Sequence, residues 1–374
     1  MKIYKTVLPL FLCFLLLCGC GNYLEIEDTF LVSGIAVDKG EKNNFSVTVE
    51  IAGIESGEQA PSRKQLILSA EGESLYSALG NISAAASRKL FLSQTAVVII
   101  GEEAAKDGLL QIIDLAMRDT ELRITNSVVV AKGCKAKELL SAPSAGETIK
   151  AYEIKNVIKT SAKNFSVTPD VAVYELINAI GNRGIAATLP AFSLEKSEKM
   201  QSLAICGTAV FKDDKLKTFL NTSESKLMTM LMDKTEETTL AEKIDDDIIS
   251  LKVYKCDTDI KPGFKGEKPV INISVKLDAG IDELTGKDHV LSAGEHEKIR
   301  KQLEEKLKKD IEKFIEKLAF ETGEDIIGFG SKIYKKYPDE WMKFKHSGYL
   351  KDIICRVNVK ISFRSTGFVN KAGS

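Results

Sequence analysis

The switching of hydrophobic period along this chain restricts its fold more than any other feature. Phe45, Val47, Val49 and Ile51 alternate with Ser46, Thr48 and Glu50, the period of two that marks a strand with one buried face. Ile271, Ile273, Val275 and Leu277 alternate in the same way with Asn272, Ser274 and Lys276. Near the end, Cys355, Val357, Val359, Ile361 and Phe363 alternate with Arg356, Asn358, Lys360 and Ser362. Between these last two strands the period becomes helical. Over 295–321, Ile299, Leu303, Leu307, Ile311, Phe314, Ile315 and Leu318 make one apolar stripe, and Lys and Glu fill the other faces. Glu304 and Lys308, and Glu305 and Lys309, stand at i,i+4 spacing. At about 1.5 Å per residue this helix is about 40 Å long.

Further strands are predicted over 66–70, 95–100, 127–131 and 204–211, and helices over 73–90 and 102–118. Strand, strand, helix, strand, helix, strand is the order of a mixed α/β first domain. The polar stretch 141–170, with Pro143 and Pro169, reads as a loop-rich connection. Thr168 and Pro169 read as N-cap and first residue of a helix that ends near Gly184, and Pro190 follows in an extended stretch. Asp213 and Asp214 mark a turn, 236–247 a charged surface loop, and 325–337 a helix that stops at Pro338. The chain is therefore expected to be α+β or mixed α/β and multi-domain, with mixed sheets, packed helices and a long amphipathic helix before the last strand. The expected divisions are 1–19, 20–28, 29–195 and 196–374, with room for a small middle domain around 200–255.

The first nineteen residues read as a processing segment. Lys2 and Lys5 precede a run from Val7 to Cys18 that is apolar except for Pro9, well short of the roughly 20 residues that span a bilayer. The run ends in Leu17, Cys18, Gly19 and Cys20, the pattern of a lipobox. In that chemistry the Cys20 thiol is alkylated with diacylglycerol and the peptide is cut before it. Cys18 is a poor rival, because Leu17 is too large for the cleavage position. After Cys20 no stretch approaches spanning length, so the mature chain is expected to be a folded part held by lipid.

Charge narrows the partners. With 52 basic and 53 acidic residues the net charge is -1, which argues against nucleic acid and offers no attraction to anionic lipid. Membrane attachment then falls to the Cys20 lipid. Cys134, Cys206, Cys256 and Cys355 are scattered without a CxxC, so no disulfide framework is implied, and Cys206 and Cys355 are expected as small core residues within strands. His289, His296 and His346 do not form a zinc pattern. Asp245, Asp246 and Asp247 lack the alternating carboxylates and turn glycine of a calcium loop. Gly328 to Lys332 has the flavour of a phosphate loop but not its spacing, and no GxSxG or HExxH occurs. No catalytic, cofactor or metal residues are assigned, and the chain is expected not to be an enzyme.

Three stretches carry a resemblance. The first is Glu25, Ile26, Glu27 and Asp28, followed by Phe30 to Asp38, which reads FLVSGIAVD. The second is Leu189 to Phe192 followed by Gly207 to Leu216. The third is Asp325 to Gly330, DIIGFG, with Tyr334, Pro338, Trp341 and the final strand to Gly367. Together they make nearly the whole chain similar to the Ger(x)C lipoproteins of endospore-forming bacteria. Those lipoproteins commonly carry a Trp-Asp pair directly after the lipidated Cys, where Gly21, Asn22, Tyr23 and Leu24 stand here. The resemblance implies several mixed α/β domains, no catalytic activity, and lipidation at Cys20. It implies the C subunit of a spore nutrient germinant receptor, at the outer surface of the spore inner membrane, beside an integral-membrane A subunit and a polytopic B subunit. The competing expectations are a solute-binding lipoprotein of a transporter, which needs a deep cleft between lobes, and a cell-envelope hydrolase, which needs a nucleophile with a positioned base.

Overall fold

The computed structural model describes residues 29–55, 62–86, 88–143, 149–182, 184–196, 201–244, 247–285, 293–345 and 348–364. The leader, the lipobox and Cys20 lie outside them.

Two runs, Val97–Gly101 and Ser127–Ala131, are buried at every residue, which requires cover on both faces. They are β5 and β6 of a nine-stranded mixed sheet. The others are β1 (Thr29–Lys39), β2 (Phe45–Glu55), β3 (Ser62–Gly72), β4 (Lys89–Phe91), β7 (Thr188–Lys196), β8 (Gln201–Lys212) and β9 (Lys215–Leu220). Their order is β3-β2-β1-β5-β6-β7-β8-β9, with β4 beside the start of β1. The centre, β1-β5-β6-β7, is parallel, and antiparallel strands flank it on both sides. One face packs on α1 (Leu75–Ala86), α2 (Glu102–Asp107), α3 (Leu110–Arg118) and α6 (Val173–Gly181). The other packs on α4 (Ala136–Ser141) and α5 (Lys150–Asn164). Along β5 the parity is clean: Val98 and Ile100 face the first set, Val97 and Ile99 the second.

Three expectations fail in this half. The stretch 141–170 is not a loop, since α5 occupies Lys150–Asn164 and buries Ala151, Ile154, Ile158 and Ser161. Thr168 and Pro169 do not start a helix. They lead into an extended stretch in which Val128 N–H donates to Val171 O and Ala172 bridges Ser127, and α6 begins only at Val173. β2 is not half-exposed, because its polar residues Thr48 and Glu50 are fully buried, Glu50 beneath the first turn of α5.

The second sheet runs β10-β11-β12-β13: Thr238–Ile244, Asp247–Lys265, Lys268–Leu284 and Ile354–Phe363. Its last pair is parallel, so the chain must cross over; after α7 (Thr222–Leu231), the long helix α8 (Ala293–Lys317) makes the crossover. Leu303, Leu307, Ile311 and Phe314 of α8 are buried in one core with Val357, Val359 and Ile361 of β13, as the two sequence periods require. The expected loop at 236–247 is instead the edge strand β10, whose Thr238 and Ile244 are buried, whose Lys243 is exposed and whose Glu242 pairs with Lys306 at 3.1 Å. Charged edge strands resist pairing with other chains, which is why this one resembles a loop in sequence. The expected helix over 325–337 is a buried turn followed by α9 (Phe329–Lys336), and Pro338 starts a further helix, α10 (Pro338–Phe344). Cys206 and Cys355 lie in strands but are only partly buried. Cys256 is the buried thiol, and all four are free.

Candidate functional site

The residues behind the resemblance are first of all structural. In β1, the Ser33 hydroxyl donates to a Glu50 carboxylate oxygen at 2.9 Å. That carboxylate also accepts from Lys150 N–H at 2.7 Å, Ala151 N–H at 2.8 Å and Gln65 Nε2 at 2.9 Å. It thus satisfies the first two amides of α5, where the helix dipole favours a negative charge. Burial pushes the Glu50 carboxyl up, against the pull of these donors. Gly34 allows the close approach: a Cβ there would stand 2.7 Å from Ala151 Cβ. Asp38 repeats the device, accepting from Ala136 N–H at 2.8 Å and Lys137 N–H at 2.9 Å at the start of α4. The motif from Ser33 to Asp38 therefore fastens two helices to the sheet.

The run from Asp325 to Gly330 does the same between the two halves. The Asp325 carboxylate accepts from Gly328 N–H at 2.7 Å, Gly330 N–H at 2.7 Å and the Tyr349 hydroxyl at 2.6 Å. Burial pushes both the Asp325 carboxyl and the Tyr349 phenol upward. Trp341 stands edge-to-face on Tyr349, centroids 5.1 Å apart. From the first half, Ala186 N–H donates to Asp325 O at 2.7 Å, and Ser331 N–H donates to Gly184 O at 2.9 Å. Of the two glycines that suggested a phosphate loop, Gly330 packs on the backbone of Gly184, and Gly328, at φ +81°, sits against the side chain of Ile185.

Other polar groups are likewise committed. The Ser127 hydroxyl bonds both Asp170 and Lys155, which pair at 2.9 Å; Ser127 is fully buried, so the cluster ties β6 to α5. Burial pushes the Cys134 and Cys256 thiols up to about 11 and Cys355 up to about 12, away from the reactive thiolate. Among the described residues no three His, Cys, Asp or Glu group as metal ligands. Asp245, Asp246, His289 and His346 lie outside the described residues.

Among the described residues, a groove of about 1050 Å³ lies open on the α1 and α3 face of the first sheet. Leu75, Tyr76 and Leu79 form one wall, Leu110, Ile113 and Met117 the other, and Lys89, Leu90 and Leu92 line it as well. Tyr76 is 74% exposed, Met117 63% and Leu110 57%, while Leu79 and Ile113 beneath them are buried. The rim carries Lys89 paired with Glu121 and Arg118 paired with Asp114, each at 2.7 Å. An apolar floor, exposed aromatic and Met side chains and a polar rim are the composition of a protein-docking surface. No sequence motif announced it, because its residues come from three separate segments.

Comparison with known proteins fits this division. Residues 22–194 match the family described as spore germination protein N-terminal domain, and 206–367 the family described as spore germination B3/GerAC like, C-terminal. The chain is 26% identical to spore germination protein KC of Bacillus subtilis (strain 168) over 383 residues, covering 95% of this chain and 94% of that one. It is 22% identical to spore germination protein B3 of the same organism over 377 residues, covering 98% and 99%. The crystal structure of the GerBC protein superposes with a TM-score of 0.58 at 19% identity, covering 88% of this chain and 96% of that one. That likeness establishes the α+β, multi-domain fold.

Proposed function

We propose that this chain, which belongs to the Ger(x)C family of spore germination proteins, is the lipid-anchored C subunit of a spore nutrient germinant receptor. It acts by binding an integral-membrane A subunit and a polytopic B subunit, without turnover, at the outer surface of the spore inner membrane. The observation that carries this is the pair of family matches, which together run from just after Cys20 almost to the end of the chain. The lipobox from Leu17 to Cys20 supports the anchor. Among the described residues no helix is long and apolar enough to cross a membrane, so attachment is assigned to the Cys20 lipid. One acyl chain binds only marginally, at roughly 10⁴ M⁻¹, and the two chains of a diacylglycerol hold stably. The solute-binding alternative needs a deep cleft between lobes. Where the halves meet at Gly184 and Gly330, backbone packs on backbone.

The test is lipid labelling with mass spectrometry of the N-terminus, alongside purification from detergent-solubilised spore membranes. The wild-type chain should begin at lipid-bearing Cys20 and bring the A and B subunits with it, and Cys20→Ala should carry no label. Spores lacking the chain should fail to respond to one class of nutrient. A wild-type chain released without lipid, or deletion spores that answer every nutrient normally, would overturn the proposal.

A further inference from the structure

The place where the chain enters its first strand fixes what the open groove faces. Thr29 and Phe30 of β1 pair in parallel register with Lys89 and Leu90 of β4. Lys89 and Leu90 also line the groove. Adjacent strands are about 4.8 Å apart, so the entering backbone and this side of the groove are neighbours. Nine residue steps separate Cys20 from Thr29, and covalent geometry limits them to about 31 Å at full extension. On the lipid-anchor reading, on which this inference rests, the side of the groove at Lys89 is held within about 36 Å of the bilayer surface.

We propose that this groove receives an amphipathic helix of a membrane-embedded protein, a segment lying at or leaving the bilayer surface. Three observations select a helix over the lipid surface itself. First, the site is concave between two helical walls. At about 1.5 Å per residue, the nine residues of α3 give the shorter wall a length of about 13 Å, enough for two to three turns of a docked helix. Second, its charged residues are Lys89 and Arg118 against Asp114, Asp119 and Glu121, a slight acidic excess. Recognition of anionic headgroups requires a basic cluster instead. Third, Tyr76, Leu110 and Met117 project from both walls over the buried Leu79 and Ile113, which matches a ridge of apolar side chains at i, i+3 or i+4, and i+7 on the incoming helix. The rim pairs, one of each sign at Lys89 and Glu121 and again at Arg118 and Asp114, then meet the polar flanks of that helix.

The experiment uses the full chain in spores, with a photoreactive benzophenone side chain at position 117 and, as control, at exposed Lys159 on the opposite face of the sheet. Irradiated membranes are probed for the adduct, and its partner peptide is sequenced. A second arm carries Tyr76→Asp with Met117→Asp, which alter exposed side chains and should leave the melting curve and the lipid label unchanged. The expected adduct at 117 joins a helical segment of an integral-membrane protein, and is missing at 159. The charged double variant should lose co-purification of that protein by roughly tenfold or more. The proposal is overturned if position 117 yields no adduct, or an adduct only with lipid, with a second copy of this chain or with a protein that is not membrane-embedded. Wild-type yield of the partner with the double variant would also overturn it. A wild-type chain without lipid removes the anchor and the placement argument with it, and the label tells that outcome apart from a failure of the groove.

Discussion

Two glycines with nearly the same backbone conformation separate local strain from contact between domains. Gly184 has φ +72° and Gly133 φ +71°, both in the left-handed region. A Cβ at Gly133 would meet nothing within 4 Å. A Cβ at Gly184 would stand 2.5 Å from the Gly330 carbonyl carbon, 2.6 Å from Ser331 N and 2.8 Å from Gly330 Cα. All three are backbone atoms of the opposite half, so no side chain can rotate aside. Gly133→Ala should cost the left-handed penalty of about 1–2 kcal/mol, less about 0.4–1 kcal/mol gained through the unfolded chain, for a net cost near 1 kcal/mol. Gly184→Ala adds an overpacking cost of about 1–3 kcal/mol. The two variants should therefore differ by about 2 kcal/mol, read as the separation of urea midpoints at constant slope. Equal midpoints would refute the claim that the halves meet backbone to backbone at this point.

Val359→Asp places a carboxylate among Val357, Ile361 and the apolar stripe of α8, and should cost about 3–5 kcal/mol; an unchanged melting curve would remove β13 from the core. Asp325→Asn keeps one acceptor and turns the other into a donor facing Gly330 N–H, for a cost of about 2–3 kcal/mol, measured by the same urea unfolding. An Asn variant as stable as wild type would mean that the carboxylate does not hold this turn.

The parts of the fold that could be read in sequence are those with one wet face. Ile271 to Leu277, Val357 to Ile361 and the stripe of α8 each bury one side, so their period survives in the residue types. β1 sits at the centre of its sheet and is interrupted by Ser33, Gly34 and Asp38, so it shows no period, although those residues are what attach α4 and α5. α5 was hidden for the complementary reason. Its sequence is largely polar, with Thr, Ser and two Asn of weak helix propensity, and its first amides are satisfied by Glu50, a hundred residues earlier. A helix stabilised by a distant carboxylate leaves no local cap in its own sequence. The groove was the least legible feature. Tyr76, Leu110 and Met117 are each a single exposed apolar residue on a helix, which is ordinary taken alone. Only the packing of α1 beside α3 gathers them.

The anchor and the groove then make sense together. An open groove with a charged rim buries little apolar area and supports only modest affinity in free solution. If Cys20 carries the proposed lipid, a tether of at most about 31 Å changes the requirement, because it turns docking into an intramolecular event at an effective concentration on the order of millimolar. Under that constraint a helix held at the bilayer surface occupies the groove even when its free dissociation constant is well above micromolar. The buried carboxylates at Glu50, Asp38 and Asp325 hold the scaffold rigid, and docking is confined to exposed side chains that carry little of the folding energy. Rigidity and docking thus reside in different residues, which is why the sequence motifs identify the family and the groove residues do not.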